Sequence, residues 1–258
     1  MQINRYFFSD LYRLWFSKRL FGGVLLIYTA LILNSFLWGK SNDVLLLFMG
    51  IRTFSTIVIT YIGASFCFST SLAEDQEHGY VWQALCRGGS MRYCISKIVV
   101  CFGSAVFSYV AGYLLFVITY AFKYPLCDAD GNIAQFYVGN DLFGSFIQTG
   151  HYLLFFIASS MLTGMLVGIL AVCAMYLSLF IKSKVMVLSV PMLLHYFIDN
   201  YIENWLKLPD FLSPVYVFNS EVGAFNDRVL SLVFAVLYAL LSLSLLLALT
   251  FKEIERRR

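Results

Sequence analysis

Three carboxylates crowd into one turn of sequence at Glu74, Asp75 and Glu77, with His78 next to them. Such a cluster has two uses. It can pair with nearby arginines in a solvated loop, or it can form a charged docking edge whose rim selects a partner. Gly39-Lys40-Ser41 mimics the end of a phosphate-binding loop, but that motif needs a glycine where Asn34 stands, so it is rejected. The histidines His78, His151 and His195 form no H-E-x-x-H pair. Cys127, Asp128, Asp130, Gly131 and Asn132 bear a faint likeness to a calcium loop, but the ligand spacing and the closing Glu are missing. No metal or cofactor is therefore expected in this chain. A last constellation is a hydroxyl series. Thr53, Thr56 and Thr60 share one helical face, and Ser65 follows. These side chains either bond their own helix backbone or line a polar pathway.

The elements that must carry these residues are apolar. Of 258 residues, 60% are hydrophobic and only 13% charged, about half the charge of an average soluble domain. Lipid is the solvent this composition demands. An all-α membrane protein with six transmembrane helices is predicted, spanning about 20–39, 48–73, 97–122, 152–181, 185–202 and 229–251. Five of these spans are carried by long charge-free runs. The span at 185–202 has only fourteen charge-free residues before Asp199 and rests on parity.

With the N-terminus inside, thirteen Lys and Arg residues fall on cytoplasmic segments and four on outer ones, with Arg52 near the outer end of the second span. This bias predicts N-in, C-in. The run 20–39 lacks a small-x-small cleavage site and exceeds a signal-peptide core. Of the six cysteines only Cys127 then faces outward, which leaves no disulfide framework there. Of the histidines only His195 is expected inside the membrane, and no acidic residue is expected at mid-depth in the five long charge-free spans, Asp199 and Glu203 falling at or beyond the outer end of the fifth span.

Residues 1–19 read as an interfacial amphipathic helix. Ile3, Phe7, Phe8, Leu11, Trp15 and Phe16 recur at helical spacing, and Asn4, Arg5, Ser9, Asp10, Arg13 and Ser17 take the other side, with arginines toward lipid phosphates. Residues 20–258 read as one six-span transmembrane domain. The outer segment 203–228 is aromatic, is broken by Pro209 and Pro214, and is expected to dip back re-entrantly before the last span. Ser160-x-x-x-Gly164-x-x-x-Gly168 predicts close helix approach.

The cytoplasmic loop 74–92 resembles that of permease subunits of type-2 ATP-binding-cassette (ABC) exporters. Glu74, Glu77, Gly79, Leu85, Ser90, Arg92 and Lys97 fall in comparable places, while Tyr80 stands where that family favours Thr and Gly88-Gly89 where it favours a Pro-containing turn.

The resemblance covers the layout of the whole chain and the motif over about 25 residues. It implies a coupling loop docked on a separate ATPase subunit through Glu74, Asp75, Glu77, Gly79, Trp82, Gln83, Arg87 and Arg92. Two such ATPases, carrying ATP and Mg, would pair with two permease chains, identical or homologous. The second and fifth spans would line a pathway, with Thr53, Thr56, Thr60 and Ser65 on its wall. The cargo would be an amphipathic peptide, lipid or glycolipid, the setting a bacterial cell membrane, and this chain itself no enzyme. An ATP-independent carrier or channel, and a toxin-sequestering immunity or scaffold protein, are the alternatives.

Overall fold

A computed structural model describes residues 3–39, 43–52, 58–81, 89–127, 132–181, 183–202, 209, 211–221, 225 and 227–257. Among them no strand occurs and every regular element is a helix. The order is α1 (Ile3–Trp15), α2 (Lys18–Trp38), α3 (Val44–Arg52), α4 (Val58–Phe66), α5 (Ser71–Glu77) and α6 (Ser90–Ala121), then α7 (Asn132–Asn140), α8 (Gly144–Gln148), α9 (Tyr152–Leu177), α10 (Lys184–Phe197), α11 (Pro214–Val217) and α12 (Arg228–Arg256). A π-helical turn, Ile198–Ile202, continues α10.

Helices α2, α6, α9 and α12 are long and apolar enough to cross a membrane. The shortest, α2, has 21 residues, about 31 Å at 1.5 Å per residue, which matches the ~30 Å hydrocarbon core. These four carry the first, third, fourth and sixth expected spans. The expected second span is built differently. Its described parts are two nine-residue helices, α3 and α4, with 53–57 outside the described residues. The fifth is the 14-residue α10, with Pro191 inside it. Helix α6 begins at Ser90, so Arg92 and Lys97 are helical rather than part of a loop.

Helix α6 is the hub, packed against α9, α2, α1, α4 and α12. Glycines allow the closest approaches. A Cβ on Gly23 of α2 would sit 2.6 Å from the Gly63 carbonyl of α4. One on Gly168 of α9 would sit 2.7 Å from the Phe102 ring of α6, so the predicted Ser160–Gly164–Gly168 stripe is a helix seam. Helix α12 is the least embedded. Leu237, Leu241 and Leu245, four residues apart, run down its exposed face. Its start is capped by Asp227, whose carboxylate accepts from the Val229 N–H at 3.0 Å.

The two chain ends lie at one end of the bundle. Asp10 bonds Lys97 near the start of α6, Glu255 accepts from Ser90 at 3.2 Å, and Arg257 donates to the Leu179 carbonyl at 2.7 Å. This is called the terminal end below.

Candidate functional site

Two clusters of polar side chains sit in this apolar molecule. The first is at the terminal end. Lys97 is 1% exposed, and its ammonium lies 2.8 Å from Asp10 of α1 and 2.8 Å from Asp75 of α5. Arg13 pairs with the other Asp75 oxygen at 2.7 Å. The Tyr93 hydroxyl donates to Asp75 at 2.8 Å and Ser96 donates to Asp10 at 2.7 Å. Phe68 and Tyr93 present their rings to the ammonium at 5.2 and 5.5 Å. Beside this network, Arg19 pairs with Glu74 at 2.5 Å. Burial pushes the Asp75 carboxyl upward, but Lys97, Arg13 and Tyr93 outweigh it and hold it below the ordinary carboxylate value.

This corrects two expectations. Asp75 was expected on a docking surface, yet it is 2% exposed and wholly engaged within the chain. Glu74 is mostly covered by Arg19. The polar side of α1 does not face phosphates as a whole. Asp10 turns into the protein, while Phe8, Tyr12, Trp15 and Phe16 are exposed. Helical period groups residues on a face but does not say what that face meets. For Asp10, a buried ion pair with Lys97 and a hydrogen bond from Ser96 outweigh the headgroup layer.

The rest of the expected docking set divides. Glu77 is 48% exposed and meets Lys184 at 3.0 Å. Gly79 and Gly89 have φ of +67° and +86°, conformations that suit glycine, and they bracket the loop between α5 and α6. Arg92 is exposed in the first turn of α6. Trp82, Gln83 and Arg87 lie outside the described residues.

The second cluster surrounds a cavity of about 370 Å³ between α4, α6, α9, α10 and the segment around α11. Arg52, at the end of α3, reaches across to α9. It donates to Ser159 and Thr163, both at 2.6 Å, and to Ser220 at 3.4 Å. Its guanidinium lies 5.5 Å from the Phe48 ring centre. Ser159 and Thr163 are seven and eleven residues into α9, roughly 10 and 16 Å along its axis. Among the described residues no carboxylate comes within 4.0 Å of Arg52.

Tyr61, Tyr109, His195, Asp199 and Glu221 also line the cavity. The His195 ring packs edge-on to Tyr61 at 4.7 Å, and its Nδ1 is buried with no hydrogen-bond partner among the described residues. Arg52, Asp199 and Glu221 thus share a cavity with His195, a grouping that the sequence reading did not foresee.

The segment around α11 roofs this space. Val215, Phe218, Asn219 and Glu221 face it. Ser220 donates to Asp141 at 3.0 Å, and its carbonyl accepts from the Leu142 N–H at 2.9 Å. Burial pushes the Asp141 carboxyl up to about 6, against hydrogen bonds from the Phe143 N–H and Ser220 and the attraction of Arg52.

Of the four hydroxyls expected on a pathway wall, the two described ones, Thr60 and Ser65, are not in the lining of this cavity. Ser65 donates to the Tyr61 carbonyl of its own helix at 2.8 Å, and Thr60 is buried against Tyr109. Thr53 and Thr56 lie outside the described residues. Sequence reasoning missed Arg52 as a site residue. A single cation at the end of the apolar run Val44–Arg52 was the signal that could have found it.

The chain matches no family model, no curated protein and no solved structure.

Proposed function

We propose that this chain is the membrane subunit of an ATP-driven exporter in the cell membrane, built on the type-2 ABC plan that loop 74–92 resembles. In this reading α3 and α4 together make the second span and α10 with its π-helical turn the fifth. That gives six spans with both ends in the cytoplasm, and the segment around α11 is the re-entrant outer plug. The observation that carries the reading is the rigid base of the loop. Asp75 and Glu74 tie the end of α5 to α1, α2 and α6, while Glu77 stays exposed beside it. A push on the loop would move three helices as one body, as a coupling element needs. The partner would be a separate ATPase subunit in two copies, with a second permease chain completing the pathway. The polar part of an amphipathic peptide, lipid or glycolipid cargo would sit in the Arg52 cavity.

Mild-detergent capture of the chain from native membranes tests this. A stoichiometric ABC ATPase alongside it is the expected result. The chain coming down alone overturns it.

A second reading, an ATP-independent carrier, draws support from one observation: Arg52, His195, Asp199 and Glu221 around a common cavity. Ion-coupled carriers place ionisable groups there. Transport that survives ATP depletion would favour it.

A further inference from the structure

The cavity beside Arg52 holds charges of both signs that do not meet. Arg52, Asp199 and Glu221 all line it. Arg52 and Glu221 are partly exposed and Asp199 is exposed, so none of the three is sealed inside the wall. Among the described residues no opposite charge lies within 4.0 Å of Arg52 or of Glu221. Opposite charges attract far more strongly beside a protein wall than in bulk water. A cation and a carboxylate that share one space and stay apart are therefore being held apart.

The holding is visible on both sides. Ser159 and Thr163 of α9 each accept from one Nη atom of Arg52 at 2.6 Å, and the Phe48 ring centre lies 5.5 Å from the guanidinium. These partners are neutral, so they aim the fork without discharging it. Glu221 follows Ser220, whose hydroxyl donates to Asp141 at 3.0 Å and whose carbonyl accepts from the Leu142 N–H at 2.9 Å. The Glu221 N–H itself donates to the Asn219 side chain at 3.0 Å. Asp199 belongs to the π-helical turn after α10. The three charges are thus carried by three different elements: the end of α3, the segment after α11 and the π-helical turn.

The balance of charge decides what fits. A ligand that is only an anion meets Arg52, but also Asp199 and Glu221, with Asp141 behind Ser220. A ligand that is only a cation meets the carboxylates and is repelled by Arg52. A ligand with both charges a few bonds apart meets each with its opposite. The surroundings say what the ligand is attached to. Tyr196 lines the cavity and is 54% exposed, and Leu193 and Phe197 of the same helix are exposed apolar side chains. The cavity therefore borders an apolar strip of the surface along α10.

We propose that the cavity takes the zwitterionic phosphate–ammonium headgroup of an aminophospholipid. The phosphate oxygens accept from the Arg52 fork, the ammonium donates to Glu221 on the side of Asp199, and the acyl chains follow Leu193 and Phe197 along α10. This deepens the proposed function and rests on it for one point, that the cavity receives cargo.

The test measures binding to the full chain in dodecyl maltoside micelles by calorimetric titration against empty micelles, with no ATP and no partner subunit. The probes are dihexanoyl phosphatidylethanolamine, the anionic dihexanoyl phosphatidylglycerol, the cation hexylamine and water-soluble phosphoethanolamine. The wild type is expected to bind the phosphatidylethanolamine at least about tenfold more tightly than the other three, the worth of one charge-assisted hydrogen bond. Glu221→Gln should lower that affinity about tenfold and raise the affinity for phosphatidylglycerol. Arg52→Met should lower it as much and raise the affinity for hexylamine. Two crossovers of opposite sign are a readout that damage to the fold does not produce. A wild type that binds the anionic lipid or the amine as tightly as the zwitterion overturns the proposal. So do variants that lose all probes alike. Phosphoethanolamine binding as tightly as the short lipid would overturn the lipid as the source of the headgroup. If these titrations fail while an ABC ATPase is still captured from native membranes, the exporter stands and only this cargo class falls. The opposite pair of results keeps the site and removes the exporter.

Discussion

Lys97 and Arg52 are both cations held inside an apolar helical protein, and their surroundings are opposite. Lys97 has two carboxylates at 2.8 Å, a third-party arginine sharing one of them, and no room to spare. Arg52 has hydroxyls and an aromatic ring, with a cavity on its open side. A cation that is fully neutralised serves the fold. Arg52 has no carboxylate in direct contact among the described residues, only the more distant Asp141, Asp199 and Glu221 around it, so its charge is less closely compensated than that of Lys97. The difference separates a clamp at the terminal end from a binding wall in the interior.

The sharpest way to break this contrast is at the clamp. Lys97→Met should destabilise the protein by about 3–5 kcal/mol, because it leaves carboxylates buried without their partner. Combining it with Asp10→Asn and Asp75→Asn should recover most of that loss, which thermal unfolding of the reconstituted chain would read. Recovery failing altogether would show that the network does more than neutralise itself.

Opposed pH responses come next. Asp141 titrates near 6 in the fold against an ordinary value of about 3.9. Its raised value means that the folded state holds the proton more tightly. Stability of the outer roof is then greatest below pH 4 and falls as pH rises through 6, by at most about 3 kcal/mol. Asp75 has the reverse sign. Its depressed value contributes stability above the ordinary carboxylate range, and that stability is lost as pH falls through its lower folded value. Hydrogen exchange of residues 211–221 and of α1 at several pH values should therefore show the roof loosening between pH 4 and 6.5 while α1 stays protected. Asp141→Asn should flatten the first response and leave the second.

Arg52→Met should be a small structural change and a large functional one. Ser159 keeps Ser220 as a partner and Thr163 keeps the Ser159 carbonyl, so the stability loss should stay near 1 kcal/mol. On the proposed function, cargo flux in vesicles should drop about tenfold or more. Arg52→Lys should not restore it, because one ammonium does not span the two hydroxyls the guanidinium fork reaches. The smallest stability effect belongs to Glu77. Its exposed pair with Lys184 is worth about 0.5 kcal/mol or less. Glu77→Lys with Lys184→Glu restores the pair, and on the proposed function it should still abolish ATPase stimulation. Stimulation surviving the swap would return Glu77 to a purely structural role.

The long spans were legible because length and lack of charge are one-dimensional properties, and α2, α6, α9 and α12 have both. The seam at Gly164 and Gly168 was legible because small residues four apart share a face. The clamp was not. Asp10 and Lys97 are 87 residues apart, and nothing local marks them as partners. Helix α1 shows why periodicity alone misleads in lipid. Its apolar side can face membrane or protein, and here the acidic residue on its polar side turns inward to meet α6. The hydroxyls of α4 misled for a related reason. A polar series on one face reads as a channel wall, but Ser65 is satisfied by its own helix. The cavity takes Val58 and Tyr61 from the same helix instead.

The clamp also has an order of assembly written into it. A chain grows from its N-terminus, so Asp10, Arg13 and Asp75 exist before Lys97 does. Until the early turns of α6 leave the ribosome, two carboxylates destined for burial share Arg13 as their one cation in the finished network. Helix α1 therefore has reason to stay at the membrane surface during early synthesis. On that order α1 would dock only after Lys97 has been made, as α6 enters the bilayer. A nascent chain stalled before Lys97 should expose α1 to protease, and one stalled well beyond it should protect α1.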